Sequence, residues 1–157
     1  MELRESVRFR EATSADATAM AQCRLTDPTD GGAADPRIAA YLDCHHHPQQ
    51  ALVPRVGYLA LDNDTVVGYI AGHLTTRHGC SGELQYLFVT LSYRRRGIAT
   101  ALLRLLAEWF LAQGAQRICV AIAGDSPVEA KPFCENFGAA PLRKYWHAWE
   151  DIGAIVR

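Results

Sequence analysis

The stretch ELQYLFVTLSYRRRGIATALLRLLAEWFLAQG, residues 83–114, constrains the fold of this chain more than any other. Residues 83–89 are aliphatic or aromatic on both alternating faces, the pattern of a strand covered on both sides in the middle of a sheet. A short turn leads to Gly97, after which Ile98, Leu102, Leu105, Leu106, Trp109 and Phe110 fall along one stripe at helical spacing, with Gly114 as a stop. A buried strand feeding an amphipathic helix commits the chain to a layered α/β architecture in which the helix packs back on the sheet.

The flanking segments extend this pattern. VRFREA, residues 7–12, alternates as a strand, and TSADATAMAQCRL, residues 13–25, reads as a helix capped by Thr13 or Ser14. TDPTDGGAADP, residues 26–36, is a flexible connection to a short helix RIAAYLDC at 37–44. GYLALD (57–62) and TVVGYIAGHLT (65–75) form a hairpin across Asp62-Asn63-Asp64. RICVAIA (117–123) is a β-branched strand, and SPVEAKPFCENFG (126–138) is a short helix with Ser126 as N-cap and Pro127 at its first position. RKYWHAWEDI, residues 143–152, makes a final strand. With 157 residues, the chain has room for one domain, 1–157, and a real core.

Charge excludes several classes of function. Sixteen basic and 17 acidic side chains leave a formal net charge of -1, unlike a globally cationic nucleic-acid binder. Arg104 and Glu108 interrupt the best apolar run before it reaches the roughly 18 residues that span a bilayer. The start, MELRESVRFREATSADA, mixes charges where a secretion signal needs an apolar core. Five cysteines without a C-x-x-C pair suggest neither a disulfide framework nor a zinc site. The expectation is a soluble cytoplasmic protein with no metal and no nucleic-acid or membrane partner. His45, His46 and His47 read as a polar helix end, since consecutive histidines on a helix do not converge on one ion.

The chemistry gathers at SYRRRGIATALL, residues 92–103. A strand end, a turn and a helix start bring unpaired backbone N–H groups and the positive end of a helix dipole together, a site for a phosphate or pyrophosphate. Gly97 lets the backbone approach a ligand, Ala99 is small, Thr100 adds a hydroxyl, and Arg94, Arg95 and Arg96 bring permanent charge. The spacing is neither that of a Gly-Lys-Ser/Thr phosphate loop nor G-x-G-x-x-G. A nucleic-acid contact by the arginines lacks an aromatic stacking platform or a recognition helix.

Arg94-x-x-Gly97-x-Ala99, preceded by LQYLFVTLSY and followed by an amphipathic helix, resembles the Q/R-x-x-G-x-G/A acetyl-CoA motif of the GNAT superfamily of N-acetyltransferases. VRFREATSADA resembles that family's first strand and helix, and PFCENFGA its later F-Y-E-K-x-G-F segment, so the resemblance runs over nearly the whole chain. It implies a mixed α/β fold with a bent, mostly antiparallel sheet that splays between two parallel central strands, here 84–89 and 117–123. It also implies acetyl-CoA in the resulting gap, held by Phe88, Val89, Arg94, Arg95, Arg96, Gly97, Ile98, Ala99 and Thr100. The reaction it implies is direct acetyl transfer to a primary amine, in a peptide or a small molecule.

That amine is mostly protonated at neutral pH, so a base must take its proton. Glu83 stands eleven positions before Arg94, where some relatives carry their base; it is otherwise a carboxylate that starts a strand. Cys134 occupies the place of the family's usual tyrosine acid, and is either a thiol donor to the leaving thiolate or an inert small hydrophobe. Tyr86, Tyr93, Tyr145 and water are alternative donors. Pro127 replaces a common asparagine and Leu91 the proline of V-x-P. An acyl-CoA-binding module with little catalysis is the competing function. His73 and His78 read as surface or edge residues rather than pocket lining. Asp27, Asp30, Asp35 and Asp43 suggest an acidic acceptor side suited to a cationic amine. Alternation puts Trp146 opposite His147 and Trp149 on its side, leaving one face for the core and one for an acceptor or a second subunit of a homodimer.

Overall fold

The computed structural model describes residues 7–25, 37–124 and 126–157. The expected linker at 26–36, Asp27, Asp30 and Asp35 lie outside the described residues. Strands β1 (Val7–Glu11), β2 (Ala51–Asp62), β3 (Thr65–Thr75), β4 (Gly82–Val89), β5 (Ile118–Ala121), β6 (Ala140–Arg143) and β7 (Trp146–Trp149) form one sheet in the order β1-β2-β3-β4-β5-β7-β6. Every neighbouring pair is antiparallel except β4 and β5, which run parallel. Helices α1 (Ala17–Leu25), α2 (Ile38–Leu42), α3 (Ile98–Ala112) and α4 (Ala130–Asn136) cover the two faces.

β4 sits fourth of seven and is buried on both sides, as its doubly apolar pattern requires. On one face Leu84 and Val89 join Ile70, Val120 and Trp149 under Leu102, Leu103, Leu106 and Phe110 of α3. On the other, Tyr86 and Phe88 join Leu59 and Tyr69 under Met20 of α1 and Tyr41 of α2. Each such large apolar side chain contributes about 1.5–3 kcal/mol relative to exposure. The stripe of α3 is rotated from the expected one: Leu103 and Ala107 are inside, while Leu105 and Trp109 lie at its edge. Phe110 lies so close to the sheet that a Cβ on Gly82 would stand 2.5 Å from its ring and one on Gly72 3.0 Å.

Three local expectations are corrected. β2 starts at Ala51 rather than Gly57; its first half, with Pro54, pairs only with β3, and a proline is tolerated on that unpaired edge. The expected strand at 143–152 is a hairpin of β6 and β7 turning at Lys144-Tyr145, where Tyr145 takes a φ of 70° that sequence does not announce. α4 begins at Ala130: Ser126 Oγ accepts the Ala123 amide at 3.0 Å and closes a turn, instead of capping a helix. Conversely, the Asn63-Asp64 turn holds, with Asn63 at φ 55°. Thr13 starts the first helical turn, its amide donating to the Asp16 carboxylate at 2.9 Å.

Candidate active site

The site begins where two strands part. β4 pairs with β3 from Gly82 to Val89, but with β5 only from Gly82 to Leu84, opposite Ile118 to Val120. The β3–β4 register slips by one residue between Ala71/Tyr86 and Gly72/Leu84, so Gln85 is an extra residue that bends β4 where the pairing with β5 stops. From Gln85 onward, β4 pairs with no described strand on its β5 side, and a wedge opens between the two parallel strands.

At the far end of β4 a single turn of 3-10 helix, Leu91–Tyr93, leads to the arginine run. Arg94 folds inward: its Nε donates to the Val89 carbonyl at 2.8 Å, its guanidinium lies over the Phe88 ring at 5.6 Å, and Nη1 stands 3.9 Å from Glu129. Tyr93 donates its hydroxyl to the Asp62 carboxylate and carries Arg96 over its ring, which ties the loop to the end of β2. Arg95 and Gly97 both take left-handed backbone, at φ 62° and 83°. The first bond of α3 runs from the Ala101 amide to the Gly97 carbonyl at 3.0 Å, so the amides of Ile98, Ala99 and Thr100 lie ahead of the helical ladder. Gly97 and Arg95 are exposed, while Phe88, Val89 and Ile98 bury their side chains in the two cores and offer the opening only backbone. A glycine with positive φ, forward amides and flanking arginines is a donor set suited to an anionic diphosphate. At the α3 start a groove of about 420 Å³ is lined by Arg96, Gly97, Ile98, Thr100 and Arg104 together with Val7 and Phe9 of β1.

Glu83 stands at the other end of the wedge, one residue before the β4–β5 pairing ends, and is 4% exposed. Its cross-strand partner is His73, which is wholly buried, not at a surface or edge as its position in the sequence suggested. His73 Nε2 lies 3.6 Å and Arg77 Nε 3.4 Å from Glu83 Oε1. The second ring nitrogen of His73, Nδ1, is 2.7 Å from the hydroxyl of Tyr41, whose ionisation burial pushes up. Arg55 lies over the Tyr41 ring and Arg77 over that of Trp146. Tyr41, His73 and Arg77 carry no spacing signal; only the β3–β4 register, in which His73 faces Glu83, reveals the group.

Cys134 is buried in α4 among the apolar residues beneath α3, and burial, with the nearby Glu135, pushes its thiol up to about 12. Glu135 itself bonds His147 Nε2 at 2.9 Å. His147 and Trp149 share one face of β7 and Trp146 the other, where it packs with Cys80, Cys119 and Ala148. Tyr86 is buried, Tyr93 is engaged by Asp62, and Tyr145 is exposed. None of the five cysteines is in a disulfide. Arg55 bonds the His46 carbonyl and approaches His47 Nδ1, which makes the histidine run a polar end to α2. Among the described residues no helix is long and apolar enough to cross a membrane, and no group of three or more His, Cys, Asp or Glu is placed to hold a metal ion.

Solved structures share this architecture. A GNAT-family acetyltransferase from Staphylococcus aureus Mu50 superposes with a TM-score of 0.72 at 16% identity, over 90% of this chain and 97% of that one. The PaiA N-acetyltransferase of Thermoplasma acidophilum, in complex with coenzyme A, gives 0.65 at 14% identity over 91% and 96%. An aminoglycoside 6'-N-acetyltransferase complexed with coenzyme A gives 0.66 at 17% over 92% and 97%. A curated relative, acetyl transferase GW6a of Oryza sativa subsp. japonica, is 40% identical over 58 residues, which are 37% of this chain but only 14% of that protein. The parting strands, the glycine turn and the helix start also fall inside residues 19–139, which match the family model described as Acetyltransferase (GNAT) family, and the chain therefore belongs to the GNAT acetyltransferases.

Proposed function

We propose that this protein is an N-acetyltransferase that moves an acetyl group from acetyl-CoA to a primary amine directly, within a ternary complex. The observation that carries the reading is the parting of β4 and β5 after Leu84, with a carboxylate at one end and a diphosphate-type cradle at the other. Acetyl-CoA supplies the activated acyl group as a thioester. The free β4 edge, including the backbone of Phe88 and Val89, is suited to hydrogen-bond its pantetheine arm. The amides of Gly97, Ile98, Ala99 and Thr100 take the diphosphate, with Arg95 and Arg96 as charge at the rim. Arg94 is assigned as a brace for the strand end through Val89 rather than a ligand.

Glu83 accepts the proton of the incoming ammonium, directly or through water, since the amine attacks only when neutral. Cys134 is at the family's usual donor position, but a thiol at about 12 gives up its proton less readily than an ordinary thiol at about 8.5, so water is assigned as the donor to the departing thiolate. The acceptor is a peptide or small-molecule amine, and five cysteines outside any disulfide suit a cytoplasmic setting.

Thermal unfolding with acetyl-CoA tests the first half. At a concentration of about 100 times Kd, stabilisation is about 2.7 kcal/mol, or roughly 5–10 °C for a chain of this size. No shift at millimolar acetyl-CoA refutes the reading. Release of free CoA across a panel of polyamines, aminoglycosides, amino-acid derivatives and peptide N-termini tests the second half, with Glu83→Gln slowing turnover by about 10²–10⁴-fold. A shift without turnover on any amine instead favours a binding module, which the burial of Cys134 suits.

A further inference from the structure

Three buried polar atoms converge on one point of the sheet without a hydrogen bond between any of them: His73 Nε2, Arg77 Nε and Glu83 Oε1. An orphaned buried polar atom costs about 1–3 kcal/mol, so a core that keeps three together against one another calls for a reason beyond stability. Catalytic hydrogen bonds are often long in a free enzyme and tighten when substrate arrives.

The chemistry of His73 fits that reason. Its ring is wholly buried, and Glu83 Oε1 is the acceptor that Nε2 faces, which places the imidazole proton on Nε2. Nδ1 then accepts from the Tyr41 hydroxyl, a phenol that burial keeps protonated. A donor on one side and a carboxylate on the other hold the ring in one tautomer and one orientation. Tyr41 is in turn placed by the rings of Tyr86 and His73, both at T-shaped contact, and by Arg55 over its face.

We propose that Tyr41 and His73 are positioning residues of the transfer: Tyr41 fixes the Nε2–H tautomer of His73, and His73, with Arg77, aims the Glu83 carboxylate at the amine. This rests on Glu83 being the base. Neither residue touches the reacting atoms, so their loss acts on kcat and leaves acetyl-CoA binding alone.

The test uses the full chain, acetyl-CoA as donor and the amine that turns over fastest in the panel. Tyr41→Phe keeps the ring and removes only the hydroxyl; it lowers kcat about tenfold with the KM for acetyl-CoA and the acetyl-CoA thermal shift unchanged. His73→Leu does the same or more, while His73→Gln, whose amide still donates, recovers most of the loss. Independently of activity, ¹⁵N-histidine spectra show His73 as the Nε2–H tautomer in the wild type, and its Nε2 resonance moves in Glu83→Gln. Tyr41→Phe and His73→Leu turning over at the wild-type rate while Glu83→Gln is slow, or an Nδ1–H tautomer in the wild type, overturns the proposal alone. Unchanged turnover in Glu83→Gln overturns both this proposal and the assignment of the base.

Discussion

Replacing Gly82 by alanine tests how the wedge is built. Gly82 opens β4 and is the first of the three residues that pair with β5, opposite Ile118. A Cβ there would lie 2.5 and 2.8 Å from Cε1 and Cδ1 of Phe110 and 2.8 Å from Cδ1 of Ile118, all well inside van der Waals contact. Phe110 is fully buried in α3, so its ring has no free direction in which to retreat. Overpacking of this kind costs about 1–3 kcal/mol; at about 2 kcal/mol, Tm falls by roughly 4–8 °C. Movement of Phe110 or Ile118 also disturbs the strand pair whose divergence opens the wedge, so the stabilisation by coenzyme A shrinks as well. Phe110→Leu removes Cε1, the atom nearest the added Cβ. Urea unfolding of wild type, both single variants and the double variant then gives a coupling of at least about 1 kcal/mol, with the double variant more stable than the sum of the singles requires. A Gly82→Ala protein as stable as wild type, or strictly additive variants, would show that this contact is not what holds the helix against the strand pair.

Gly97→Ala places a Cβ on left-handed backbone, which costs about 1–2 kcal/mol in urea unfolding and weakens coenzyme A binding by calorimetry more than it lowers stability. Arg94→Ala frees the Val89 carbonyl and the turn, and raises the Kd for coenzyme A by about tenfold, a loss of about 1.4 kcal/mol; Arg94→Lys fails to restore it because an ammonium lacks the planar group that both bonds Val89 and covers Phe88. For the buried thiols the sign is set by their raised folded values: stabilisation from keeping Cys134 neutral is complete below the ordinary thiol range near 8.5, and is lost as pH climbs from there to about 12. Tm therefore declines with pH across that window, and less steeply in Cys134→Ala. Native Cys134 and Cys119 also resist alkylation at neutral pH, whereas labelling at the rate of a denatured control would contradict their burial.

The order of elements was readable because each strong pattern had a local cause. The doubly apolar run 83–89 could only be a central strand, and the stripe after Gly97 could only pack one face. The glycine turn of the cradle is equally local: left-handed backbone ahead of a helix start is a matter of neighbouring residues, and so is alternation along β7, which put Trp146 and Trp149 on opposite faces. Errors came where residue type did not announce the local backbone, or where the cause lay in another element. Tyr145 takes positive φ without being glycine, which hid the β6–β7 hairpin, and Ser126 closes a turn with Ala123 instead of capping α4. Glu83 stood out by its distance from Arg94, yet His73, ten residues earlier in the chain, looked like an edge residue.

Sequence by itself determined the layered α/β architecture and the strand–turn–helix segment around Gly97, since these rest on periodicity and backbone preference within a single segment; Glu83 was picked out only by the family resemblance. Only the tertiary structure decided that β4 and β5 part after Leu84, that Arg94 turns inward to the strand end, and that Tyr41 and His73 stand behind Glu83. Register and burial bring together residues 41, 73, 77 and 83 from separate elements, and no pattern within any one of them records that meeting.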